Sequence, residues 1–413
     1  MIRRIGRVLV RLAAPAVLLA GCATPPPAPV TACAPPAAVQ VCPVCPVCPA
    51  PQVVPAPPKA DILEPVDFAA LPGWNEETFG DSLAGLHAAC ARFRADSAWQ
   101  PACAASASLG TSPEELRSYY ERYFTPWRVS TQEGEVSGLI TGYYEPLLHG
   151  SRIKHGPYQV PLYAPPDDLL IIDLAAINPQ LRNMRLRGRL EGRRVVPYYS
   201  RAQIEQGLAS VAGKELLFVE DPVEAFFLQI QGSGRVQLDN GEWVGLGYSD
   251  QNGHPYVPIG RLLIERGDLQ PGAASMQGIQ AWARSHPERL PEILDRNPSY
   301  VFFRELPPRA DPSIGPPGAL GVPLVPMRSI AVDRRFIALG APVFLATTLP
   351  ASDTPLQRLV FAQDTGGAIR GPVRADFFWG FGNEAGQQAG RMRQDGRLWM
   401  LWPKGAVPPR PQS

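Results

Sequence analysis

The sequence predicts a mainly β protein with a few helices, and three observations support this. Short apolar runs of four to six residues recur between Gly, Pro, Asn and Asp, as strands do. The 48 prolines and 38 glycines interrupt long helices and favour turns. Clear helix-start signals occur at only a few places. With 413 residues and 45% hydrophobic residues, the chain can form two or three domains with a sizeable core.

The charge balance limits the classes of function. The chain has 39 Lys and Arg against 38 Asp and Glu, which excludes the strongly basic balance of a nucleic-acid-binding protein. Five histidines leave little material for a zinc site built on imidazoles. The motifs of zinc metalloproteases, P-loop enzymes and α/β-hydrolases do not occur. We therefore expect no nucleic-acid partner, no metal and no cofactor.

Residues 1–22 predict a lipoprotein signal peptide. Met1–Arg11 carries four arginines and no acid, and the apolar run Leu12–Ala20 is too short to span a membrane. The ending Leu-Ala-Gly-Cys resembles a bacterial lipobox, in which Cys22 becomes the lipidated first residue. The alternative is an ordinary secretory signal with an incidental cysteine. Because no Asp follows Cys22, the resemblance implies the outer membrane, with the protein facing the periplasm.

The composition of residues 23–60 predicts a Pro/Ala-rich linker between the lipid anchor and a folded body. Thr24–Ala60 contains 13 prolines in 37 residues, so it should be a semi-rigid spacer. The linker cysteines have zinc-like CxxC spacing, but a low-complexity repeat is the favoured interpretation; they are Cys33, Cys42, Cys45 and Cys48. In the body, Cys90 and Cys103 are either a disulfide or two free buried thiols.

The body, from Asp61 onward, contains a few helix signals and several strand signals. Ser112 followed by Pro113 and two glutamates predicts an N-cap and a helix whose tyrosines and Leu116 face the core. Further helices are predicted from Ser275 and near 287–294. The predicted strands are Leu216–Val219, Ala225–Ile230, Val343–Thr347, Leu359–Ala362 and Leu398–Leu401.

The densest candidate site lies near the C-terminus. Asp364 ends an apolar run and is followed by Thr-Gly-Gly, and Asp376 precedes Phe-Phe-Trp. Glycines such as Gly366 and Gly367 let the backbone approach a ligand closely. An apolar surrounding raises the pKa of a carboxyl group, so Asp376 could stay protonated and act as a general acid. Asp333 also ends an apolar run.

Two other interpretations apply to these aspartates. Asp364 and Asp333 could simply make turn hydrogen bonds after strands. The Asp-Thr-Gly at Asp364 also occurs in aspartic proteases, but those enzymes need two such carboxylates and this chain has one copy.

Taken together, the motifs resemble the membrane-bound lytic transglycosylase A family of bacterial murein-degrading lipoproteins, and the last portion resembles the three-aspartate domain. The resemblance extends from about Asp67 to Pro403. The matching stretches are Leu139–Pro146, Pro197–Ile204, Gln229–Gly234, Asn252–Tyr256, Ile259–Arg261, Asn297–Phe303 and the segments that begin at Asp364 and Asp376.

The resemblance implies a double-psi β-barrel with an inserted smaller β-domain and a substrate groove between them. The barrel would comprise residues 61–145 plus 256–404, with the three-aspartate region at about 326–404. The insert would comprise residues 146–255, and residues 405–413 would form a tail.

The resemblance also implies an activity: cleavage of the β-1,4 bond between N-acetylmuramic acid and N-acetylglucosamine in peptidoglycan, forming 1,6-anhydromuramyl ends without water. Asp376 would be the catalytic residue, acting as acid and then as base. Asp364, Asp333, Gly366 and Gly367 would support the site. The candidates for sugar binding are Thr141, Tyr144, Gln231, Ser233, Asn252, Phe377 and Trp379, although structural hydrogen bonds are an equal alternative for the polar ones.

Two further expectations concern partners and an alternative function. The substrate would be the glycan strands of peptidoglycan, the protein a monomer, and other proteins of cell-wall synthesis or hydrolysis could be partners. His254 is interpreted as a hydrogen-bonded loop histidine rather than a catalytic one. The alternative function is a non-catalytic peptidoglycan-binding scaffold of the envelope on the same fold.

Overall fold

The computed structural model describes residues 61–181, 184, 186–309 and 314–410. The predicted signal peptide with Cys22, the linker and its cysteines lie outside the described residues and stay predictions. Within the described residues the chain is mostly β with a few helices, which confirms the predicted fold class.

The strands are short and are spread along the whole described chain. In chain order they are β1 Leu63–Pro65, β2 Phe124–Val129, β3 Gly138–Glu145, β4 Leu147–Ser151, β5 Val160–Tyr163, β6 Leu170–Ile171, β7 Arg187–Glu191, β8 Arg194–Pro197, β9 Glu215–Val219, β10 Ser233–Leu238, β11 Trp243–Gln251, β12 Val301–Glu305, β13 Ser329–Val332, β14 Pro342–Thr348, β15 Pro355–Asp364, β16 Ala375–Phe381 and β17 Arg393–Pro403. Four of the five predicted strands are confirmed, within β9, β14, β15 and β17.

The helices are mostly short. They are α1 Ser82–Arg92, α2 Gln100–Ser106, α3 Pro113–Tyr123, α4 Arg201–Glu205, α5 Pro222–Gln231, α6 Ile259–Glu265, α7 Met276–Ser285, α8 Leu290–Asp295 and α9 Gly382–Arg391, with 3₁₀ turns at Phe68–Ala70 and Pro179–Leu181. The predicted helix starts are confirmed: the side chains of Ser112 and Ser275 accept hydrogen bonds from the backbone amides of Glu115 and Gly278.

The predicted strand Ala225–Ile230 is wrong, because these residues form most of helix α5. Asp221 caps this helix by accepting hydrogen bonds from the amides of Val223 and Glu224, and Pro222 occupies its first turn. The run is apolar on several faces because α5 packs between the second sheet and helices α6 to α8. Burial on several faces hides the helical period.

The first sheet closes into a barrel. Its order is β1-β2-β17-β14-β15-β13-β16-β3, and β17 pairs additionally with β3, so six strands from β17 to β3 form a closed ring. The pairs β13–β15 and β16–β3 are parallel and the other barrel pairs are antiparallel. This arrangement is consistent with the double-psi barrel that the family resemblance implies.

The barrel holds the largest core cluster of the described residues. Apolar side chains of its strands pack with helices α1 to α3, whose core face includes Leu116, Tyr119 and Tyr120 as predicted. Cys90 on α1 and Cys103 on α2 form a disulfide, which settles the alternative left open by the sequence.

A second sheet has the order β12-β11-β10-β4-β9-β5, and β6, β7 and β8 form a small third sheet. Strand Val301–Glu305, which the predicted boundaries assign to the barrel, pairs with β11 in the second sheet. The boundaries at 145/146 and 255/256 themselves remain a proposal. No helix among the described residues has the length and hydrophobicity of a transmembrane segment.

Glu145, at the end of β3, forms ion pairs that connect the first sheet with the second. Its carboxylate is fully buried and accepts hydrogen bonds from Arg235 on β10, at 2.8 Å, and from Arg309, at 2.6 and 3.0 Å. Arg309 lies on the connection that returns from β12 to β13. The chain passes from the first sheet to the second after β3 and returns after β12. The carboxylate of Glu145 therefore connects both of these segments by ion pairs.

Candidate active site

Four neighbouring barrel strands align one residue each in a row, and three of these residues are polar. The register pairs Asp364 of β15 with Ala331 of β13, Ala331 with Asp376 of β16, and Asp376 with Thr141 of β3. Neighbouring strands lie about 4.8 Å apart, so the Cα atoms of Asp364 and Asp376 are separated by roughly 10 Å. The two predicted aspartates therefore belong to one site.

The two faces of β16 differ, because successive side chains of a strand point to opposite faces. Phe377 points into the barrel core and is fully buried. Asp376 and Phe378 point to the other face, where the ring of Tyr143 packs at 5.1 Å from that of Phe378. The apolar cluster on this face consists of Tyr143, Leu324, Ala331, Ile369 and Phe378.

Asp376 lies in a surrounding that favours its protonated form. Burial raises its pKa to about 6, against the opposing effects of a hydrogen bond from Thr141 and the charge of Arg374. Thr141 Oγ1 donates to Asp376 Oδ1 at 2.6 Å and accepts from Arg374 Nη2 at 2.9 Å. Among the described residues, Oδ2 has no hydrogen-bond partner. One carboxyl oxygen is thus held in place, and the other can exchange a proton with a ligand.

Asp364 is held by its neighbours. Its Oδ1 accepts from the amides of Ala319 and Thr365, both at 2.9 Å, and its Oδ2 accepts from the hydroxyl of Tyr143 at 3.2 Å. Burial and the negative charges of Asp364 and Asp376 raise the pKa of Tyr143 well above its usual value, which keeps its hydroxyl protonated as a donor. Asp364 thereby fixes the tyrosine ring that packs on Phe378.

Asp333 forms an ion pair. Arg335 donates to both of its carboxylate oxygens, at 2.6 to 3.2 Å, and the amide of Gly371 donates to Oδ2 at 3.0 Å. Burial alone would raise the pKa of Asp333, but these hydrogen bonds outweigh it and hold the pKa below its usual value. Gly371 adopts φ +105°, which suits glycine, and this conformation presents its amide to Asp333.

Gly366 and Gly367 form the turn that follows β15. A Cβ on Gly366 would lie 2.8 Å from Ile369 Cγ1, so the tight turn requires glycine there. Gly367 is exposed, and its carbonyl accepts a hydrogen bond from Arg370 Nε at 3.0 Å. Both glycines lie beside the row of aspartates.

Of the predicted sugar-binding residues, Thr141 lies in the row. Gln231, at the end of α5, and Ser233, at the start of β10, are half-buried. Gln231 Oε1 accepts from the amide of Tyr144 at 3.1 Å, which leaves the NH₂ group of its side chain for other partners. Tyr144 is only 6% exposed and its hydroxyl contacts Met276 Sδ. It packs between helices, so we do not retain it as a ligand contact.

Asn252 is a structural residue in this fold. It is 1% exposed, and its amide oxygen accepts from the backbone amide of Tyr300 at 2.9 Å. Its NH₂ group donates to the carbonyls of Tyr199 and Pro298, each at 2.8 Å. The amide oxygen also accepts from the backbone amide of His254 at 3.4 Å, so no hydrogen-bonding capacity remains for a sugar. His254 Nε2 lies 2.7 Å from the carbonyl oxygen of Tyr198, in agreement with a hydrogen-bonded loop histidine.

Phe377 and Trp379 do not reach the face that carries Asp376. Phe377 has no exposed surface, and Trp379 packs against it and donates to Met392 Sδ at 3.2 Å. Of the three aromatic residues that follow Asp376, Phe378 is the one that lies on its face, next to Tyr143. We therefore leave Phe377 and Trp379 out of the proposed ligand contacts.

Sequence reasoning missed Tyr143 and Arg374. Tyr143 follows Thr141 by two residues and Arg374 precedes Asp376 by two, so strand alternation could have assigned both to the same face. In the described residues, no group of three His, Cys, Asp or Glu side chains is placed to hold a metal ion.

Two family models match the chain. The "MltA specific insert domain" matches residues 139–304 and the "3D domain" matches residues 328–402. The first match spans the second and third sheets, and the second spans the strands that carry the three aspartates.

Similar proteins are bacterial murein transglycosylases. Membrane-bound lytic murein transglycosylase A of Escherichia coli K12 is 31% identical over 283 residues, which cover 67% of this chain and 68% of that protein. The crystal structure of MltA from Neisseria gonorrhoeae is 41% identical with a TM-score of 0.72 and covers 84% of this chain and 94% of its own. That of E. coli MltA with bound chitohexaose is 25% identical with a TM-score of 0.60, covering 84% and 92%.

Proposed function

The chain belongs to the membrane-bound lytic murein transglycosylase A family, and from this premise we propose how its barrel face cleaves peptidoglycan. The protein is a peptidoglycan lytic transglycosylase. The glycan strand is its substrate, and the observation that carries the proposed mechanism is the raised pKa of Asp376 in a row of fixed polar groups.

In this mechanism Asp376 acts first as acid and then as base. The protonated carboxyl donates to the glycosidic oxygen between N-acetylmuramic acid and N-acetylglucosamine, and positive charge develops on the muramyl ring. The resulting carboxylate takes the proton of the muramyl 6-hydroxyl as that oxygen attacks C1 and closes the 1,6-anhydro ring. The nucleophile is part of the substrate, so its attack has the entropic advantage of an intramolecular reaction.

The neighbouring groups support a single catalytic carboxyl. Asp364 is two strands away and accepts hydrogen bonds from two amides and Tyr143, and Asp333 is neutralised by Arg335. We assign both to holding the site. Thr141 fixes Oδ1 of Asp376 and leaves Oδ2 for the glycosidic oxygen. Thr141, Gln231 and Ser233 remain the proposed sugar contacts.

The substitution Asp376→Asn tests this assignment. The amide keeps the shape of the carboxyl but cannot transfer the proton, so release of 1,6-anhydro products should fall by at least ~10²–10⁴-fold. Mass spectrometry of the muropeptides released from purified sacculi measures this. Co-sedimentation with sacculi should show that the variant still binds.

The companion variants are Asp364→Asn and Asp333→Asn, which should lose activity together with thermal stability because both carboxylates hold backbone amides. Near-normal anhydro release by Asp376→Asn would contradict the assignment. Products with reducing ends would contradict intramolecular attack. Binding of sacculi by the wild-type protein with no product at all would favour the non-catalytic scaffold.

For localisation, we propose that Cys22 is lipidated and anchors the protein to the outer membrane, facing the periplasm. Support comes from the arginine-rich start, the Leu-Ala-Gly-Cys ending and the membrane-bound relatives. The proline-rich linker would then let the barrel reach the glycan strands. The proposal includes that the protein is a monomer and that it contacts other proteins of cell-wall synthesis or hydrolysis.

Replacement of the anchor residue, Cys22→Ser, should move the protein from the membrane fraction to the soluble periplasmic fraction. The reason is that the substitution removes the thiol that would carry the lipid. Fractionation and immunoblotting measure this, with Cys33→Ser in the linker as the matched control. Unchanged membrane association of Cys22→Ser would argue against the anchor.

A further inference from the structure

A polar pocket of about 120 Å³ lies beyond the ends of the parallel strands β13 and β15. The residues that matter to the argument are Asp333, Arg334, Arg335, Gly366, Ile369 and Arg370. Three of them are arginines.

The pocket adjoins the candidate active site. Ala331, the register partner of Asp376, precedes Asp333 by two residues, which corresponds to about 6.6 Å along a strand. Ile369 lines the pocket and also belongs to the apolar cluster on the face of Asp376. A ligand that reaches from Asp376 along β13 therefore enters the pocket.

The charge of the pocket is positive. The carboxylate of Asp333 is already paired with Arg335. Arg334 and Arg370 are exposed; Arg370 uses Nε for the carbonyl of Gly367, and the described residues offer no carboxylate to either guanidinium. Two guanidiniums thus remain for an external anion. A guanidinium pairs with carboxylates through two parallel N–H donors, which favours carboxylate ligands.

We propose that this pocket binds a carboxylate of the peptide stem of peptidoglycan, with Arg334 and Arg370 as residues that determine specificity for stem-bearing strands. The proposal rests on the proposed function. Each muramyl residue carries its stem on the lactyl group of the same sugar whose C1 is attacked, so a stem lies close to the cleaved bond. The glycan itself is uncharged, and the stem supplies the carboxylates.

The test compares two forms of one substrate. Uncross-linked glycan strands are acetylated at their amino groups, and half of the sample is then amidated at the stem carboxylates with carbodiimide and glycinamide. The length and the sugars are the same in both forms, and the amidated stems carry a small neutral glycinamide group in place of each negative charge. The wild-type protein should have a higher kcat/KM for anhydro release from the free-carboxylate strands, and added salt should reduce this preference.

The double variant R334Q/R370Q should lower that preference about tenfold, because it removes charge-assisted hydrogen bonds to the stem. Arg335 is kept so that Asp333 retains its partner. The matched control is Arg284→Gln, an exposed arginine at the end of α7, which should keep the wild-type preference. Thermal melting checks that all variants are folded.

Binding is measured separately, by co-sedimentation of the two kinds of strand with Asp376→Asn and with the triple variant D376N/R334Q/R370Q. If Asp376→Asn prefers the free-carboxylate strands and D376N/R334Q/R370Q does not, the result supports binding of the stem carboxylate in the pocket. An unchanged preference in R334Q/R370Q, or an equal loss on both substrates, would overturn it. Absence of anhydro product from both substrates with the wild-type protein would instead overturn the proposed function, and the binding measurement would still decide on the pocket.

Discussion

Asp376 shows how one residue obtains its chemistry from strand alternation. Its neighbours in sequence, Ala375 and Phe377, point into the barrel core, whereas its own carboxyl faces an apolar cluster on the outside of the sheet. Burial raises the pKa of Asp376, and the hydrogen bond from Thr141 limits the rise. The balance places the pKa near 6, within the range where one group can serve as both acid and base.

This balance predicts the pH dependence of the wild-type enzyme and of Thr141→Val. The acid must be protonated at the start, so kcat/KM should fall as the pH rises through about 6. Thr141 stabilises the ionised form, so Thr141→Val should raise the pKa of Asp376 and move the fall in activity to higher pH. pH profiles of anhydro release measure this. Thr141→Ser keeps the hydroxyl and should keep the profile; a Thr141→Val profile equal to that of the wild type would contradict the role.

At the scale of elements, features set by neighbouring residues in the sequence are predicted better than features set by contacts between distant residues. The cap signals at Ser112 and Ser275 are local, so they could be read directly. The strand predicted at Ala225–Ile230 is wrong because the apolar residues of helix α5 are buried on several faces, which hides the helical period. The structural role of Asn252 depends on hydrogen bonds to the carbonyls of Tyr199 and Pro298, which lie some 50 residues away in the sequence. A local sequence pattern cannot predict such contacts.

Helix α9 packs on β3 so closely that Gly142 is required there. A Cβ at this position would lie 2.7 Å from Trp379 Nε1 and 2.9 Å from Ala389 Cα. Gly142→Ala should therefore lower the free energy of unfolding by about 1–3 kcal/mol through overpacking, as measured by chemical denaturation.

The matched control is Gly390→Ala on α9 itself. A Cβ at Gly390 would meet nothing within 4 Å, so alanine should raise stability by about 0.5–1 kcal/mol through its higher helix propensity. Equal effects of the two substitutions would show that the close approach of α9 to β3 is not required.

For the whole molecule, Glu145 is the link between the two sheets. Glu145→Gln would leave the buried guanidinium of Arg235 and the partly buried guanidinium of Arg309 without their carboxylate, which should cost about 3–5 kcal/mol of unfolding free energy. Denaturant titration measures the loss. The exposed pair Arg261–Glu265 gives the comparison, since Glu265→Gln should cost less than about 1 kcal/mol. A similarly small cost for Glu145→Gln would show that the crossings hold without this charge.

The last strand, β17, closes the barrel, so under the proposed export to the periplasm the barrel can close only after this strand has arrived. Strand β3 pairs with β16 and β17, and Thr141 meets Asp376 across 235 residues of sequence. Within the part of the chain that the structure describes, strands β4 to β12 pair only with one another, so they can fold before the barrel strands have all their partners. Contacts this distant in sequence carry a large loop-closure cost and form slowly. A chain that has not been exported through residue 403 therefore has no closed barrel, and under the proposed localisation the cell wall meets an active transglycosylase site only after synthesis and export are complete.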